Sequence, residues 1–127
     1  DKLPDILAQR ARVAKRYTDY LRNHPVLMPP HVPSGMEHDW QTYMVAVRPE
    51  SGVSRNAVME KLHEFGIPTR RGVMASHLEP PYREIVCVLP HTEAAAANTL
   101  QLPMHPALSP TQQDYILEKL DELASSR

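Results

Sequence analysis

The densest chemistry in this sequence lies in one stretch, Gly66-Ile67-Pro68-Thr69-Arg70-Arg71-Gly72-Val73-Met74-Ala75-Ser76-His77-Leu78-Glu79-Pro80-Pro81-Tyr82. It has no clean helical or strand period, so it reads as an ordered loop running from Arg70 to Tyr82 between two helices. Guanidinium groups fork onto phosphate or carboxylate, and an imidazole can donate to a sugar hydroxyl. Two arginines, a histidine, a glutamate and a tyrosine in one loop could therefore bind an anion. A solvated loop whose arginines cap helices is the other reading; rigid scaffolds often carry binding groups on such loops.

Other chemistries fare worse. His24, His31 and His38 fall seven apart, and His63, His77, His91 and His105 fourteen apart. Prolines interrupt the first set, so its period cannot place three imidazoles on one helix face. With no His-x-x-x-His, no Glu-x-x-His and no cysteine pair, the histidines read as surface and loop residues, and no metal site is expected. The lone Cys87 sits inside Ile85-Val86-Cys87-Val88-Leu89, an apolar run that predicts a buried, unreactive thiol. Ser34, Ser51 and Ser76 lack the Gly-x-Ser-x-Gly elbow, and 4 glycines against 13 prolines leave no phosphate-wrapping loop. A self-contained hydrolase, kinase or nucleotide-binding domain is disfavoured.

The elements that must hold the loop follow from periodicity and breakers. At 127 residues and a net charge of −1, the chain is long enough for one domain with a real core, and neither nucleic acid nor a membrane is the expected partner. No signal-peptide-like or bilayer-spanning run occurs, which points to the cytoplasm. Ile6, Leu7, Val13, Tyr17 and Leu21 give a long helix over 5–22 whose basic residues read as a solvated face or a domain contact. It starts without a strong cap, as if cut from something longer. A Pro-rich connector spans 24–35. The α/β body, 40–125, begins with a strand at 41–48. A helix at 55–65 follows, capped by Ser54, stapled by Val53 and Val58 and ended by Gly66 in the left-handed conformation. Ile67-Pro68-Thr69 predicts a short edge strand. Thr92 is the expected cap of a short helix with Glu93 in its first turn, Leu100–Leu102 a strand, and Ser109-Pro110-Thr111-Gln112 a capping box opening a last helix to about Ser125. The fold class is α+β, a small sheet of about three short strands covered by helices, with strand directions left open.

The whole arrangement resembles the C-terminal small domain of the DegT-type nucleotide-sugar aminotransferases, pyridoxal-phosphate enzymes of the aspartate-aminotransferase fold. The resemblance rests on the basic helix Gln9 to Tyr17, Trp40-Gln41-Thr42-Tyr43-Met44-Val45, the run Gly66 to His77, Leu89-Pro90-His91-Thr92-Glu93 and Leu100-Gln101-Leu102-Pro103-Met104-His105-Pro106, in that order. It implies that Arg70, Arg71, His77 and Tyr82 face the sugar-nucleotide end of the substrate. It also implies a missing N-terminal large domain that holds pyridoxal phosphate and its Schiff-base lysine, a homodimeric complete enzyme, and a role in amino-sugar and cell-surface polysaccharide biosynthesis. No cofactor-binding or catalytic residue is expected within this chain. Lys2, Lys15, Lys61 and Lys119 fall on or beside helix surfaces, where an ordinary amine is a poor imine former. The sugar's identity stays open, because Arg71-Gly72-Val73-Met74 stands where some relatives have aromatic residues. The competing readings are a free-standing binding or regulatory module of the same shape, and a small enzyme with an unrecognised site. An absent domain would leave an apolar patch, on the first helix or around Met28.

Overall fold

A computed structural model describes residues 2–82, 84 and 86–125. In chain order its elements are α1 (Leu3–Leu21), β1 (Leu27–Met28), β2 (Tyr43–Val47), α2 (Arg55–Glu64), β3 (Arg70–Arg71), α3 (Pro90–Asn98), β4 (Thr99–Leu102) and α4 (Pro110–Ser125). Short 3-10 turns occupy Pro49–Ser51, Ser76–Leu78 and Pro80–Tyr82. The strands form one antiparallel sheet in the order β1-β2-β4-β3, so this is an α+β fold with four strands where about three were expected.

Alternation along the strands decides which face is covered. Tyr43, Val45 and Val47 of β2 lie opposite Leu102, Leu100 and Leu27 in register, and all six are buried on one face of the sheet. Against them pack Val13, Ala14, Tyr17 and Leu21 of α1, Val58 and Leu62 of α2, and Ile116, Leu117, Leu120 and Leu123 of α4. The Tyr17 and Tyr43 rings meet at 5.0 Å, and Tyr17 donates to the Pro103 carbonyl at 3.1 Å. Burial pushes both phenols above their ordinary range, Tyr43 to about 12. The second face, bearing Met28, Met44, Ala46, Thr99 and Gln101, is less covered.

The helix ends follow their capping chemistry. Ser54 accepts from the Ala57 amide at 3.1 Å, Gly66 takes φ 73°, and Ser109 and Gln112 exchange bonds of 3.1 and 3.0 Å across the α4 N-terminus. The basic face of α1 is largely neutralised at home, with Arg16 paired to Asp114 of α4, and Lys15 and Arg22 paired to Asp19. Among the described residues no helix is long and apolar enough to cross a membrane.

Five expectations need correction. The edge strand falls at Arg70–Arg71, because Ile67 is 2% exposed and its amide donates to Leu62 at 2.9 Å, tying this residue to the end of α2. The connector contains β1, which pairs with β2 through Leu27 and Met28. The α3 cap is Leu89: Pro90 starts the helix with its fixed φ, and Glu93 accepts from the Leu89 amide at 3.0 Å. His24 is buried, its Nδ1 accepting from the amides of Val26 and Leu27 while Nε2 donates to Leu120 at 3.0 Å. Cys87 is exposed, with Val86 98% and Val88 77% accessible. Residues 86–89 join no strand of the β1-β2-β4-β3 sheet; Ile85 lies outside the described residues. On the first helix and β1, Leu3, Leu7 and Met28 are exposed.

Candidate functional site

The chemistry-rich loop is anchored at its start by close backbone approach. β3 pairs with β4 through Arg70 opposite Gln101 and Arg71 opposite Leu100. One residue on, the Gly72 amide donates to the Thr99 carbonyl at 3.0 Å, and Gln101 Nε2 donates to the Gly72 carbonyl at 3.4 Å. A Cβ on Gly72 would stand 2.6 Å from Thr99 Cβ and 3.0 Å from Met44 Sδ, so glycine is required here by packing.

Because neighbours on a strand project to opposite faces, the adjacent arginines part company. Arg70 shares the face of Gln101 and lines a cleft of about 400 Å³ with Gln41, Thr42 and His105. Arg71 lies on the other side and lines a cleft of about 430 Å³ between the loop and α3. Both guanidiniums are exposed.

His77 joins the Arg71 side. Its Nε2 stands 3.0 Å from Glu93 Oε1, with only 10% of its side chain exposed, and Glu93 lines the Arg71 cleft. The Leu89 amide, and after it His77, hold the Glu93 carboxyl below its ordinary range. The ionised carboxylate accepts from Nε2–H, which leaves Nδ1 of a neutral ring as an acceptor for a hydroxyl. Tyr82 is 47% exposed and lines neither cleft. The four residues singled out in the loop thus part: Arg71 lines one cleft and Arg70 the other, His77 lines neither but is bonded to Glu93 of the Arg71 cleft, and Tyr82 stands apart.

The structure adds a residue that sequence reasoning passed over as an ordinary first residue of α2. Arg55 is 9% exposed and lines the Arg71 cleft. Its Nε donates to Asn56 Oδ1 at 2.8 Å and its Nη1 to the Thr99 carbonyl at 3.4 Å. Burial, and then the positive charge of Arg71, lower its pKa. No periodicity signals this, since it arises from the meeting of α2 with β4.

Lys15 is paired with Asp19, Lys61 with Glu64, and Lys119 with Glu118 and Glu122, while Lys2 is exposed beside α1. The Glu122 partner raises the Lys119 pKa, the opposite of what an imine-forming amine needs. Among the described residues no group of three potential ligands could hold a metal ion.

An antiparallel sheet backed by helices on one face, with a charged loop on its edge strand, defines an α+β unit. The family model of the DegT/DnrJ/EryC1/StrS aminotransferases matches residues 1–121, and the chain belongs to that family. Among solved structures, the aminotransferase TlmJ from Streptoalloteichus hindustanus is 28% identical with a TM-score of 0.86, over 98% of this chain and 33% of that one. A DegT DnrJ EryC1 StrS aminotransferase from Brucella abortus is 29% identical with a TM-score of 0.79, over 96% and 32%. The PLP-form of Spr1654 from Streptococcus pneumoniae, 23% identical, shares the fold at a TM-score of 0.87 over 99% and 33%. The chain spans about a third of the length of these relatives.

Proposed function

We propose that residues 1–127 form the C-terminal small domain of a pyridoxal-phosphate-dependent sugar aminotransferase, and that the Arg70–Tyr82 loop forms one wall of its sugar-nucleotide site. The observation that carries the reading is the pairing of a family match over residues 1–121 with coverage of only about a third of the relatives' length. A partner domain, N-terminal and larger, would supply the lysine and most of the phosphate cradle, and the complete enzyme would act as a homodimer on an amino-sugar route to cell-surface polysaccharide. Pyridoxal phosphate supplies the electron sink for amino transfer when it is bound there.

The part played by this chain is positioning. Arg71 presents a fork to the anionic end of the substrate, and His77, oriented by Glu93, presents Nδ1 to a sugar hydroxyl. Binding energy from these remote groups fixes the reacting carbon and keeps it in register with the cofactor. Arg70 can meet the same molecule only if the substrate crosses the edge of β3, because the two arginines face opposite ways.

The test is steady-state kinetics of the complete enzyme carrying Arg70→Ala, Arg71→Ala or His77→Ala. Weakened nucleotide-sugar use with the absorbance of bound cofactor intact supports the reading. Unchanged kinetics in all three variants removes the site assignment.

A further inference from the structure

The cleft between the loop and α3 holds an arrangement that a structural role alone does not explain. Arg55 and Arg71 line it together, and burial, then the positive charge of Arg71, lowers the Arg55 pKa. Arg55 is only 9% exposed as a residue, and its guanidinium is partly withdrawn from water. Among the described residues neither guanidinium forms an ion pair with a carboxylate. Glu93 lines the same cleft, yet its Oε1 is engaged by His77 and the Leu89 amide. Glu79, also on the lining, is exposed and stands in no salt bridge with either arginine. Nε and Nη1 of Arg55 are spent on Asn56 and Thr99, which fixes the plane of the group, while Nη2 makes no hydrogen bond among the described residues. A buried, oriented guanidinium facing a second, exposed one is the donor set that chelates a tetrahedral or planar oxyanion.

We infer that Arg55 and Arg71 form an oxyanion-binding site in this cleft, with Arg55 as the fixed donor and Arg71 as the arm that closes on the ligand. The oxyanion is a phosphoryl group or a carboxylate. That it belongs to the substrate of a sugar aminotransferase rests on the function proposed above; the site itself rests only on the cleft and its two arginines. The rest of the lining is largely apolar, with Val73, Met74, Leu78 and Ala96 beside the two arginines.

The experiment is an NMR titration of the 127-residue chain with inorganic pyrophosphate and, separately, with malonate. Saturable shifts confined to amides of residues 54–57, 71–79 and 93–97 are expected with at least one anion; the anion that binds identifies the group. Arg71→Gln, at an exposed position, is expected to weaken binding about tenfold or more, and Arg55→Lys, which keeps the charge and loses the fork, by a similar factor. Arg12→Gln on α1 removes the same unit of charge elsewhere and is expected to leave the affinity unchanged. The inference is overturned if neither anion saturates, if the shifts map to α1 or to the Arg70 face, or if Arg12→Gln weakens binding as much as Arg71→Gln. Anion binding that follows this pattern, together with unchanged turnover of the complete enzyme by Arg71→Ala, would remove the sugar-site reading and leave the oxyanion site standing. Impaired turnover without anion binding would do the reverse.

Discussion

Gly72→Ala tests how the reactive loop is attached. The new methyl would lie 2.6 Å from Thr99 Cβ and closer still to its hydroxyl, where ordinary contact begins near 3.4 Å. Thr99 is held from behind by its hydroxyl bond to Ala95 at 2.7 Å, so β3 must lift away from β4 by most of an ångström. Overpacking of this kind costs about 1–3 kcal/mol. Losing the Gly72 amide bond to Thr99 adds about 1 kcal/mol. The reduced freedom of the unfolded chain returns about 0.4–1 kcal/mol. The net loss is about 2 kcal/mol, which for a chain of this length lowers the melting temperature by about 7 °C. Circular-dichroism melts read that shift directly. Thr99→Ala removes one of the two clashing atoms, so the double variant should lose less than the two single variants together. A fall of less than about 2 °C for Gly72→Ala, or strict additivity with Thr99→Ala, would refute the close approach.

Three further outcomes follow from the same structure. The folded-state pKa of Glu93 is lowered, so its contribution to stability is complete above its unfolded value near 4.5 and is lost as pH falls through the folded value; Glu93→Gln should flatten the acid limb of urea midpoints against pH, and an unaltered limb would contradict the His77–Leu89–Glu93 geometry. His24→Ala strands the buried amides of Val26 and Leu27 and the Leu120 carbonyl, and should cost about 3 kcal/mol or more by chemical denaturation; a loss under about 1 kcal/mol would argue that water replaces the ring. Cys87, exposed on an unpaired segment, should react with a maleimide in the folded chain as fast as in urea, whereas strong protection would return it to the core.

Local signals carried most of the fold. Ser54, Gly66 and the Ser109–Gln112 box each act through bonds within a few residues, and each appears where the pattern put it. What escaped depends on contacts distant in sequence. β1 is two residues long and exists only because β2 offers an edge. The apolar run around Cys87 looks like a core strand, but its described residues join no strand and stand exposed. The site divides in the same way. That the loop carries Arg70, Arg71, His77 and Tyr82 is plain from residue types. That Arg70 faces away from Arg71 follows only from the β3–β4 register, and that Arg55 joins Arg71 only from where α2 begins beside β4. Glu93 reads in the sequence only as a first-turn helix residue; its bond to His77 across 16 residues of chain has no local signature.

The central claim is that the Arg70–Tyr82 loop is a wall of a sugar-nucleotide site, and a crystal structure of the complete enzyme with a nucleotide sugar bound tests it most directly. The account predicts Arg71 or His77 within hydrogen-bonding distance of the ligand, with Glu93 still against His77. A ligand held entirely by other parts of the enzyme, with this loop turned toward bulk solvent, would contradict it.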